Sequence, residues 1–280
     1  MSNHPVKNVA LFCNARDEKH IREWAAHHLL IGFNRIIIFD HNSTVPLSTV
    51  FQNFDKRVAI IRYNTPPSQN NVKIQLMNNA LHIAKQMKVD WFIYLDADEF
   101  IILNNNLIGI KDLLNRYSFA DSLALNWLMF GTNNLKTDPD DLILESYTKS
   151  DLQLNKQVKS FVRPSQATHS VNPHFYNIKN KSRMCALNTF LNPKKEIYAF
   201  NTYNVEYTKA LAFIAHYVYQ SEESYINRKI NLPADDTGGF RPKIDVDHLH
   251  AIHNSFENTF PKLKYAKNVR RFLRQYGHTF

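Results

Sequence analysis

Apolar runs of four or five residues alternate with amphipathic stretches through the first half of the chain. Val9 to Cys13 is such a run, as are Ile36 to Phe39 and Trp91 to Leu95. Each has the length of a buried strand. Between the first two, Ile21, Trp24, Ala25 and Leu29 recur at helical spacing within Glu18 to Ile31, and Gly32 supplies a stop. HNSTVP reads as a turn and Val58 to Arg62 as a third short strand. Leu76, Ala80, Ile83, Ala84 and Met87 line one face of a second helix, which leads into the Trp91 strand. Strand, helix and strand in repetition predict right-handed crossovers and a mostly parallel α/β sheet flanked by helices.

The second half is less regular. Ser122 to Trp127, Val158 to Val162 and Ala210 to Tyr217 read as strands, and Asp140 to Tyr147 as a short helix. Pro164 to Lys181, rich in His, Asn and Pro, has no period and reads as loop. Ser221 to Lys229 predicts a helix that Ser221 caps. Near the end, Phe260, Leu263, Ala266, Val269, Phe272 and Leu273 keep helical spacing, with lysines and arginines interleaved. No linker divides the chain. A single domain is expected, with a regular α/β half over about 1–125, an irregular half over about 126–255 and a C-terminal helix over about 256–280.

Composition narrows the class. The 280 residues carry a formal charge of +9, which admits nucleic acid, anionic membrane or phosphorylated small molecules as partners. No nucleic-acid module and no arginine–aromatic ladder accompanies that charge, so nucleic acid is not expected. Cys13 and Cys185 lie far apart, outside any zinc-type spacing, and read as free thiols of a reducing compartment. The longest apolar runs fall well short of the ~20 residues of a membrane span, and the first residues lack a signal-peptide core. A soluble or peripheral cytoplasmic protein is expected.

The chemistry concentrates in WFIYLDADEFIIL, where a buried strand ends in Asp96, Asp98 and Glu99. Ligands of open α/β sheets bind beyond the carboxyl ends of parallel strands. Residues two apart in extended chain share a side, and two such carboxylates repel unless a cation lies between them. Mg²⁺ or Mn²⁺, completed by substrate phosphate oxygens, suits that donor set.

YLDADEF resembles the metal-binding motif of GT-A glycosyltransferases, in particular the family 2-like and family 92 group. The similarity continues in CNARDEKHIREWAAHHLLIGFNRIIIFDHNS, with a Glu-Trp pair and a loosened Arg16-Asp17-Glu18 in place of the usual Asn-Glu. QLMNNAL, NWLMFGTNN, KSFVRP and AHYVYQSEESYINRK follow in the group's order, so the resemblance covers about residues 8–230. It implies a GT-A, Rossmann-like fold and a metal-dependent transfer of sugar from a nucleotide sugar, commonly UDP-linked, to a hydroxyl of a glycan or other acceptor, with inversion. Asp96, Asp98 and His216 would hold Mn²⁺ or Mg²⁺. Arg16, Asp40, Ser43, Asp96 and Lys229 would meet the nucleotide sugar. Trp127, Phe130 and Gly131 would offer an aromatic wall. The catalytic base is open among Asp236, Glu99 and Glu145.

Two other classes stay in view. One is a metal-dependent nucleotidyl- or phosphotransferase on a related sheet; the other is a basic nucleic-acid binder with a structural acidic cluster. The basic C-terminal helix has two readings as well: its apolar stripe packs on the catalytic domain, or it docks peripherally on an anionic membrane.

Overall fold

A computed structural model describes residues 5–66, 69–104, 106–187 and 205–279. The first half contains β1 (Val9–Ala15), α1 (Ile21–Leu30), β2 (Arg35–Asp40), α2 (Leu47–Val50), β3 (Val58–Arg62), α3 (Val72–Gln86), β4 (Trp91–Tyr94), β5 (Glu99–Leu103) and α4 (Ile110–Arg116). Then come β6 (Ser122–Met129), α5 (Ile143–Ser146), β7 (Lys149–Ser150), β8 (Val158–Val162), β9 (Met184–Ala186) and β10 (Ala212–His216). The remainder holds α6 (Glu222–Tyr225), α7 (Val246–Ala251), β11 (Phe256–Glu257) and α8 (Lys267–Gln275).

One mixed sheet runs β3-β2-β1-β4-β8-β6-β10-β5, with β9 beside the start of β6 and β10 beside its end. The β3-β2-β1-β4 half is parallel, as the alternation predicts. β8 is antiparallel to both β4 and β6, so β4, β6 and β10 all point the same way. Side chains of β1 divide between the two faces: Val9, Leu11 and Cys13 join the core beneath α1, α4 and α8, whereas Ala10 and Phe12 join the core beneath α3. That period of two, with both faces covered, is why the strand reads as a continuous apolar run.

Several boundaries differ from the expectation, each for a local reason. α1 begins at Ile21 rather than Glu18, because Asp17 adopts a left-handed φ of 53° and its carboxylate accepts the Thr44 amide at 2.7 Å. At its other end Gly32, with φ 108°, takes a conformation that disfavours any side chain. The Asp140–Tyr147 helix shrinks to Ile143–Ser146, since Leu142 is extended and Glu23 of α1 accepts the Ile143 and Leu144 amides. β10 stops short at both ends, where Ala210 closes a turn onto Tyr207 and Tyr217 donates to the Asp98 carbonyl. Strand β5 and helix α4 were not foreseen. Pro164–Lys181 is irregular apart from two isolated bridges. Both cysteines are free. No helix among the described residues is long and apolar enough to cross a membrane.

The C-terminal stripe packs on the domain only in part. Tyr265, Ala266, Val269 and Leu273 are buried, with α8 lying along α1, but Leu263 stands 78% exposed. Arg270 pairs with Asp141 at 2.5 Å and with Glu145.

Candidate functional site

Strand β5 explains how the site is assembled. It runs antiparallel to β10, in a register that places Glu99 opposite His216. Helix α1 fixes β5 through its Glu-Trp-x-x-His-His run. Trp24 Nε1 donates to the Glu99 carbonyl at 2.8 Å, and the buried His27 donates to the Ile101 carbonyl at 2.8 Å. His28 Nε2 accepts the Ile101 amide at 3.3 Å, so its Nδ1–H donates to the Trp24 carbonyl. Burial holds His27 at about 4, hence neutral and able to serve as a packed hydrogen-bonding group. The histidines that the sequence shows beside Trp24 are therefore scaffold.

Beyond the carboxyl ends of β1 and β4 lies a cavity of about 120 Å³. Asn14, Arg16, Lys73, Asp96, Asp98 and Lys229 are among its walls, with the 232–236 segment across it. Asp98 is 2% exposed. Its Oδ2 accepts from Arg228 Nη2 at 2.8 Å and Lys229 Nζ at 2.9 Å, and its Oδ1 lies 3.5 Å from His216 Nε2. Burial alone would raise this carboxyl, but Lys229, His216 and Arg228 hold it well below the usual range. Arg228 also pairs with Glu18 at 2.9 Å. Consecutive Arg228 and Lys229 reach one oxygen because the helix capped by Ser221 Oγ widens into a π turn over Ile226–Ile230.

Asp96 faces elsewhere. Lys73, from the first turn of α3, contacts its Oδ1, and Lys159 of β8 contacts its Oδ2 at 3.2 Å. Against the cost of burial, Lys159 and Lys73 keep Asp96 ionised, and Asp96 and Glu99 keep Lys73 protonated. Glu99 is wholly buried, and its Oε2 accepts the Asp96 amide at 2.9 Å. Burial pushes its carboxyl up to about 8, with Lys159 opposing and Asp96 adding to the rise.

The other expected residues divide. Arg16 lines the cavity and donates to the Pro233 carbonyl at 2.8 Å. Asp236 lines it too, with a buried Oδ1 that has no hydrogen-bond partner among the described residues. Asp40 and Ser43 stand at the end of β2 and outside the cavity wall. Asp40 accepts the Ser43 and Leu47 amides and Arg62 Nη1, while Ser43 Oγ accepts the Asp17 amide. Together they button the β2 loop to the loop that carries Arg16. Glu145 is held by Arg270 of α8, away from the cavity. Of the proposed aromatic wall, half-buried Trp127 stands 4.3 Å from the His216 ring. Phe130 is a core residue, and Gly131 is packed beneath the 253–254 turn. Arg228, Lys73 and Lys159 escaped the sequence reading. Lys159 and Arg228 stand inside KSFVRP and AHYVYQSEESYINRK, blocks already notable for other residues, whereas Lys73 precedes QLMNNAL and carries no such signal.

The donor set suits a divalent cation in part. Asp98 Oδ1 is buried, lacks a hydrogen-bond partner and faces an imidazole that burial keeps in its neutral, ligating form. Among the described residues no three His, Cys, Asp or Glu side chains gather to hold a metal by themselves, because the lysines draw Asp96 aside. Oxygens from a bound diphosphate would complete the set.

The sequence model described as "Glycosyltransferase family 92" matches residues 10–260. A glycosyltransferase family 92 protein of Ricinus communis is 26% identical over 194 residues, covering 67% of this chain and 33% of that protein. One of Oryza sativa subsp. japonica is 27% identical over 164 residues, covering 57% of this chain and 26% of that protein. The chain thus matches about a third or a quarter of the length of these relatives. The crystal structure of HddC from Yersinia pseudotuberculosis aligns at 12% identity over 56% of this chain and 77% of that one, with a TM-score of 0.34 that carries no argument. The match over residues 10–260 takes in β1 through β10 and every charged group gathered around Asp98: the chain belongs to glycosyltransferase family 92.

Proposed function

We propose that this chain transfers a sugar from a nucleoside-diphosphate donor, UDP-linked, to a hydroxyl of a glycan or glycoconjugate, with inversion. The observation that carries the reading is the buried Asp98 carboxylate, faced by His216 on one oxygen and by Arg228 and Lys229 on the other, beside a cavity at the carboxyl ends of parallel strands. Asp98 and His216, with Asp96 alongside, would hold Mn²⁺ or Mg²⁺, which supplies charge neutralisation at the departing diphosphate. Lys229, Arg228 and Lys73 add fixed positive charge where the leaving group forms. Arg16 faces the donor on the loop that Asp40 and Ser43 shape. Asp236 accepts the proton of the attacking hydroxyl as the bond from the sugar to the diphosphate breaks. Glu99, sealed from the cavity, positions the Asp96 backbone instead of meeting the acceptor.

The test is a panel of nucleotide sugars with Mn²⁺, read as release of nucleoside diphosphate together with a new glycoside. Asp98→Asn and His216→Ala should each lower turnover by about 100-fold or more, and each should weaken Mn²⁺ binding measured calorimetrically with UDP present. Transfer of the nucleotide itself, or wild-type turnover by Asp98→Asn, would overturn the reading.

A further inference from the structure

We infer that the outer face of the C-terminal helix docks this protein on an anionic lipid bilayer, through the end of that helix beside Leu30, Leu103 and Ile108. From Asn258 onward the sequence contains six lysines and arginines and no acidic residue. The fold treats them unequally. Lys264 is drawn inward to the Leu103 carbonyl and Arg270 to Asp141 and Glu145. Lys262, Lys267, Arg271 and Arg274 remain exposed.

Aliphatic side chains stand among these cations. Leu263 is 78% exposed, Ile108 97% and Leu30 42%. Leu30 and Ile108 flank a shallow depression of about 220 Å³ that Lys264 and Asn268 also border. Leu263 lines the groove on the other flank of the same helix, beside Lys267 and Arg271. Aliphatic groups on both flanks of the helix therefore stand beside exposed cations. A nucleic acid or an acidic protein would satisfy the cations and leave the aliphatic groups in water. A bilayer with anionic headgroups satisfies both, because acyl chains take the aliphatic groups and headgroups take the cations.

The position fits catalysis. Leu103, which this face borders, ends β5, whereas Glu99 at the other end lies beside the site. Four residue steps of strand separate them, about 13 Å. Docking there leaves the cavity open to acceptors arriving from water.

The experiment is cosedimentation of the full chain with phosphatidylcholine vesicles, with and without phosphatidylglycerol. Binding should require phosphatidylglycerol and fall with salt. Lys267→Glu with Arg271→Glu and Arg274→Glu should weaken it by more than about tenfold. Leu263→Ser with Ile108→Ser should also weaken it, and both variants should keep the wild-type melting temperature. No binding to phosphatidylglycerol vesicles at low salt would overturn the inference. So would vesicle binding that ignores the serine substitutions while heparin competes fully, which would mark a polyanion surface.

Discussion

Three carboxylates within four residues receive three different environments. Asp98 meets an arginine, a lysine and a histidine, Asp96 meets two lysines, and Glu99, in full burial, meets a backbone amide with Lys159 Nζ 3.6 Å from its other oxygen. Only Glu99 is displaced upward, to about 8. The folded chain then binds a proton that an unfolded chain releases between its ordinary carboxyl value and about 8. This contribution to stability is full below the ordinary value and is lost as pH rises through the folded one. Glu99→Gln, which stays neutral, removes that loss. Relative to wild type, the variant should gain on the order of a few kcal/mol in urea unfolding between about pH 5 and about pH 9. A wild-type-minus-variant difference that does not change with pH would show that Glu99 is ionised throughout. Asp98 also carries structure. It neutralises buried Arg228, and breaking such a pair costs about 3 kcal/mol or more, so its removal weakens the fold as well as the site.

At the scale of elements, motif residues turn out to hold strands in place. The Glu-Trp-x-x-His-His run of α1 caps α5 and pins β5, and so sets the register that brings His216 to Asp98. The Trp-x-x-Phe-Gly run divides its labour: Trp127 lies tilted against the His216 ring, Phe130 fills the core and Gly131 admits the 253–254 turn. A Cβ at Gly131 would lie 2.5 Å from the Asn254 side chain and 2.6 Å from the His253 carbonyl. Gly131→Ala should therefore cost about 1–3 kcal/mol in denaturant unfolding. Because Phe130 donates its amide to the His216 carbonyl, the substitution should lower turnover as well. An unchanged midpoint would mean that the turn packs elsewhere.

Across the whole molecule, the halves before and after residue 125 share a single sheet. β4 has β8 on one flank, and β5 has only β10 beside it among the described residues. Both partners lie beyond residue 125, as do Phe213, Ile214 and Leu273 of the core that covers α1. A 1–125 fragment would keep Asp96 and Asp98 but expose the β4 edge and leave β5 unpaired. It should show no cooperative urea transition by circular dichroism, whereas the full chain should lose far- and near-ultraviolet signals together. A folded fragment with a sharp transition would show that the halves are separate domains.

The amino-acid sequence by itself determined the parallel half of the sheet, because strands with both faces buried must be apolar throughout and a helix beneath must be apolar on one stripe. The placement of Asp96 and Asp98 followed, since an abrupt change from WFIYL to carboxylates marks a strand's carboxyl end. What it left open needed pairing over long separations. Phe100–Leu103 is apolar in any reading, and only its antiparallel partner 113 residues on makes it a strand and delivers His216. The lysines that hold Asp96 come from α3 and β8, and a lysine in a sequence carries no mark of whether it will face water or a buried carboxylate. The C-terminal stripe shows the same limit: Val269 and Leu273 found α1 to cover them and Leu263 did not, a difference set by where the helix lies and not by its period.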